Sequence, residues 1–93
     1  MESVIQKEKE CYVCGTTYNL HSHHIWGGTS NRKQSEKYGL KVYLCAHHHN
    51  MSNEGVHFNK SLDNHLKALA QRYFEENYGT REDFRQVFGK SIL

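Results

Sequence analysis

The chain has 93 residues, a formal charge of +2 and three cysteines. A chain this short is one domain with little apolar surface to bury, so it commonly needs a covalent or metal staple. No apolar run reaches membrane-spanning length, and the odd cysteine count excludes a fully paired disulfide framework.

The charge balance is too small to name a partner, so its distribution matters more. Residues 1–10 are mostly polar, with Glu2, Lys7, Glu8, Lys9 and Glu10, and read as a leader or a short helix with no chemistry of its own. No secretory signal is expected there. Together with the cysteine usage, this points to a reducing, cytoplasmic compartment.

Cys11-Tyr12-Val13-Cys14-Gly15 reads as a tight knuckle. Two thiols at i and i+3, followed by a glycine, can face one ion from a single loop. The bland alternative is a pair of buried free cysteines, to which Val13 alone adds little. Leu20–Trp26 reads as a strand. Its alternation sets Leu20, Ser22 and His24 against His21, His23 and Ile25. His23 and His24 therefore face opposite ways, so one can bind a metal while its neighbour does something else.

After the loop Gly27–Asn31, residues 30–38 read as a short helix ended by Gly39. Arg32, Lys33, Lys37 and Lys41 make this the most basic stretch, with Glu36 the only acid among them. It is either a solvated face or a phosphate-gripping loop. Leu40–Leu44 reads as a second strand, antiparallel to the first. Cys45-Ala46-His47-His48 then repeats the i, i+3 spacing. Cys11, Cys14, Cys45 and His48 thus form a Cys3His set with two knuckle-spaced halves, typical of a closed structural zinc site. His49 points away from that zinc, and His47, like His21, has no assigned role.

Residues 50–55 are turn-rich. Leu62, Leu66, Leu69, Ala70, Tyr73 and Phe74 lie on one stripe of a helix over 61–77, with Gly79 at its C′ position. Thr80–Asp83 reads as a capping box that opens a last short helix, with Phe84, Val87 and Phe88 inward and Gly89 as its stop. This aromatic stripe reads as core. His65 lies off the stripe and reads as surface.

A zinc knuckle, a strand with His23-His24-Ile25, a second strand, and then Leu44-Cys45-Ala46-His47-His48-His49 resemble the HNH endonuclease superfamily. The resemblance implies an α+β fold. Its core would be a ββα-metal unit in a zinc-stapled treble clef, with a β-hairpin and C-terminal helices. One domain would divide into a leader (1–10), a knuckle and metal core (11–57) and a helical scaffold (58–93). The resemblance makes His24 the general base and His23, His49 and His57 the ligands of a catalytic divalent metal. His48 stands where the family has a second cysteine. The family's middle Asn has no counterpart, since the second strand offers Lys41 and Tyr43 instead.

The wider pattern resembles small phage-encoded members that act on RecA-coated DNA in recombination. It implies DNA as substrate, a RecA-like filament as a further partner, a bacterial host cell, and a monomer or homodimer. All-imidazole ligation suits Zn, Ni, Mn or Co better than Mg. Histidine titrates near neutral pH, as a base that activates water must. Two other readings compete with the nuclease. One is a non-catalytic zinc module that touches nucleic acid or protein, and the other is a histidine-rich metal sensor or store.

Overall fold

The computed structural model describes residues 2–49, 55–56 and 59–93. The order of elements is β1 (Leu20–His24), α1 (Thr29–Tyr38), β2 (Lys41–Cys45), α2 (Ala46–His49), α3 (Lys60–Asn77) and α4 (Arg81–Phe88). The fold is α+β. β1 and β2 form a two-stranded antiparallel sheet, and α1 is the connection between them. Among the described residues no helix is long and apolar enough to cross a membrane.

Each boundary has a local cause. α1 ends where Gly39 turns left-handed, at φ 71°, and its N–H closes on Glu36 O. A side chain at Gly39 would also meet Glu2 O at 2.6 Å, so the turn needs glycine twice over. Asn59 caps α3 by accepting from the Leu62 N–H. Thr80 and Asp83 complete the reciprocal capping box of α4, and Gly89 ends it at φ 88°. Gly79 does follow α3, but it is absent from the positive-φ glycines. Its need is space: a Cβ there would lie 2.6 Å from Asp83 Oδ2, inside the capping box.

The expected stripe is core at Leu66, Ala70 and Phe74, with Leu62 and Tyr73 partly buried against it and Leu69 half-buried outside the core cluster. Leu66, Ala70 and Phe74 of α3 and Phe84 and Phe88 of α4 are buried with Trp26, Leu40, Val42 and Leu44. Trp26 meets Phe84 edge-on at 5.0 Å, and Phe84 stacks on Phe88 at 4.6 Å. Gln71 is also fully buried. Its amide donates to Glu75 and Ser91 and accepts from the Ile92 N–H, which ties the C-terminal residues to α3. His65 is exposed.

β1 ends at His24, two residues short of the expected strand. The chain bends there, and Ile25 and Trp26 drop into the core. Ser35 holds the bend. Its hydroxyl donates to Trp26 O at 2.8 Å and accepts from Trp26 N–H at 3.2 Å. Residues 2–10 form no helix. They run beside β2, where Val4 N–H donates to Gly39 O and Gln6 Oε1 accepts from Tyr43 N–H. Ser3 Oγ donates to Lys41 O. Val4 and Ile5 pack on the core, so the leader is a structural strap.

Candidate metal centre and histidine cleft

The register Leu20↔Cys45 brings the end of β2 beside the start of β1. The knuckle joins from outside. Cys11 N–H donates to Thr16 O, Gly15 N–H donates to Cys11 O, and Tyr12 N–H donates to Tyr43 O. The knuckle is thereby hydrogen-bonded to β2. Gly15 takes φ 77°, which closes the turn. Cys45 then leads into α2, and His48 turns back one helical turn later.

Cys11, Cys14, Cys45 and His48 present ligand atoms that all lie within 4.8 Å of one another. Cys14 Sγ is 3.8 Å from Cys45 Sγ, while His48 Nδ1 is 3.3 Å from Cys45 Sγ and 3.8 Å from Cys11 Sγ. Tetrahedral zinc, with Zn–S about 2.3 Å and Zn–N about 2.0–2.1 Å, sets S···S edges of about 3.8 Å and S···N edges of about 3.6 Å. The donor set and these three edges fit, so this cluster could hold a zinc ion. Among the described residues it is the one such group.

The thiols are tuned unequally. Burial works to raise Cys11, but the backbone N–H groups of Cys45, Cys14 and Val13, with the Cys14 thiol, outweigh it and bring Cys11 down to about 6. At Cys14 the Thr16 N–H pulls downward. Desolvation and the Cys11 and Cys45 sulfurs outweigh that pull and push its pKa up. Crowded sulfurs that resist joint ionisation are what a divalent cation relieves.

Successive residues of a helix lie about 100° apart, so His49 faces away from His48. It faces β1, where its Nδ1 lies 2.8 Å from His21 Nδ1, and its ring meets His23 edge-on at 5.3 Å between centroids. His23 is buried, at 7% exposure. His23, His24 and His49 line one cleft of about 630 Å³, together with Arg32, Asp63 and Lys67. His57, the third expected ligand, lies outside the described residues.

The other sequence candidates divide. Arg32 lines the cleft, whereas Lys33 and Lys37 are exposed on α1. Lys41 Nζ donates to both oxygens of Glu36, at 3.0 and 2.9 Å. His24 Nε2 meets Glu36 Oε1 at 2.9 Å. His47 is exposed, edge-on to His48. Sequence reasoning gave no role to His21, Glu36 or Lys67. His21 had a signal in its i, i+2 relation to His23. Glu36 and Lys67 reach this region only through the placement of α1 and α3.

Compared with known protein families, with curated proteins and with solved structures, the chain matches none.

Proposed function

We propose that the chain is a metal-dependent DNA endonuclease of the HNH type, hydrolysing phosphodiester bonds at the histidine cleft. One observation carries the reading. His23 and His24 from β1 and His49 from α2 all line one cleft, which Arg32 and Lys67 line as well. Imidazoles beside cations are what water activation on an anionic backbone needs. In this reading the knuckle, the β1–β2 pair and the Cys3His zinc form the treble-clef frame, and the zinc stays structural.

His23 and His49 would hold a divalent ion with His57 as third ligand. When bound, that ion supplies Lewis-acid stabilisation of charge on the phosphate and the leaving oxygen. His24 takes the proton from the attacking water. Arg32 orients the flanking backbone, while Lys67, also on the cleft lining, is ion-paired with Asp63 at 3.0 Å. DNA is the substrate, and DNA coated by a RecA-like filament in a bacterial cell is the setting that the sequence resemblance supports.

A specific observation favours a second reading, a non-catalytic zinc module. The Cys3His cluster alone, among the described residues, brings its ligand atoms together. Supercoiled plasmid incubated with the protein and Mg, Mn, Co, Ni or Zn in turn separates the two. Nicked circles with at least one metal support the nuclease. Intact plasmid with all of them, from folded zinc-loaded protein, leaves the module.

A further inference from the structure

His24 and Lys41 stand opposite each other across the sheet, and one carboxylate bridges them. Glu36 Oε1 lies 2.9 Å from His24 Nε2, and the two Glu36 oxygens lie 3.0 and 2.9 Å from Lys41 Nζ. The bridge is built into the fold rather than draped over it. Glu36 sits in the last turn of α1, where its carbonyl accepts from Gly39 N–H, and the preceding Ser35 is locked to Trp26. The His24 and Lys41 side chains are only 23% and 18% exposed, while the bridging Glu36 side chain is 44% exposed.

The proton positions follow from the groups themselves. An ammonium only donates, and an ionised carboxylate only accepts. With Lys41 donating to both of its oxygens, Glu36 can only accept from His24. The imidazole must therefore carry a proton on Nε2, and in the neutral ring Nδ1 keeps its lone pair. Among the described residues no hydrogen bond to His24 Nδ1 is formed, and His24 lines the cleft.

We propose that Glu36, pinned by Lys41, is a positioning residue that holds His24 in its Nε2–H tautomer and leaves Nδ1 as the proton acceptor at the cleft. This deepens the nuclease reading and takes its catalytic meaning from it. It also gives Lys41 a task other than gripping phosphate. A carboxylate behind a working imidazole fixes both tautomer and ring orientation, and losing such a partner typically costs about 10–100-fold in activity.

The test uses full-length zinc-loaded protein labelled with nitrogen-15. Multiple-bond correlation of the imidazole nitrogens reads the His24 tautomer directly, whether or not the protein cuts DNA. Wild type shows Nε2–H. Glu36→Gln has nearly the same shape, but its amide can donate, so it releases the lock and moves His24 toward Nδ1–H. Glu36→Asp keeps a carboxylate and restores part of the native signature. In nicking assays kcat falls about 10–100-fold in E36Q, KM for DNA is unchanged, and E36D recovers part of the rate. An Nδ1–H tautomer in wild type, or an unchanged tautomer and kcat in E36Q, overturns the proposal. If wild type fails to nick with every metal, the nuclease reading falls, and the tautomer comparison alone decides whether Glu36 sets His24.

Discussion

Removing one thiol from the Cys3His centre separates the contribution of metal from that of packing. Cys14 is the informative position. Cys11 and Cys45 are core residues at 2% and 6% exposure, so replacing either also disturbs packing. Cys14 is exposed and opens no cavity when changed. A domain of this length has a total stability of about 5–14 kcal/mol. A structural zinc contributes roughly 10–16 kcal/mol of apparent binding free energy near neutral pH. A zinc held by this cluster would therefore be worth about as much as the whole fold, and a centre with three ligands would not hold it as tightly. Cys14→Ser should carry well under one zinc per chain and lose its cooperative melting transition, and chelator should do the same to wild type. The assay pairs circular-dichroism melting with zinc content on the same samples. Zinc-free protein, by either route, with the wild-type melting curve would refute the reasoning.

The remaining predictions probe the scaffold and the basic edge. Zinc binds thiolates and displaces their protons, so affinity falls as pH falls; titrating the protein toward acid should release zinc and unfold the chain together, with chelator-accessible zinc and ellipticity as the readouts. Arg32→Ala with Lys33→Ala should weaken DNA binding and flatten its salt dependence by about one unit of slope for each phosphate no longer neutralised, at an unchanged melting temperature. Phe84→Ala removes a fully buried ring packed on Trp26, Phe74 and Phe88 and should cost about 3–5 kcal/mol in denaturant unfolding. Gly79→Ala drives a methyl onto Asp83 and should cost about 0.5–2 kcal/mol through the broken capping box, while Gly89→Asn, at a left-handed position with open space, should be much milder.

The metal centre was legible because each half is a local spacing. Cys11 to Cys14 and Cys45 to His48 each fold on one turn, and the β-register does the rest. The helices were legible for the same reason, since stripes, caps and glycine stops act within a few residues of one another. What did not show was long-range. Glu36 sits twelve residues from His24, among basic neighbours, and reads as the one acid of a cationic run. Only the return of α1 against the β1–β2 pair makes it a bridge. Val4 and Ile5 were hidden by the charged residues around them, and their packing depends on how Gly39 turns. Gly79 does stand at the C′ position after the Tyr78 C-cap, but the neighbouring carboxylate that also constrains it is invisible in the sequence.

Nicking by His24→Ala, compared with wild type at equal metal content and equal DNA binding, bears most directly on the proposed chemistry. His24 binds no metal in this account, and its ring lies toward Glu36 rather than in the core. The variant should keep its fold, its metal and its DNA affinity, while nicking falls roughly 100-fold or more, the usual worth of a positioned base. His23→Ala and His49→Ala should instead weaken binding of the second ion and regain part of their rate at high metal concentration. A His24→Ala protein that nicks as fast as wild type, with its metal content intact, contradicts the account.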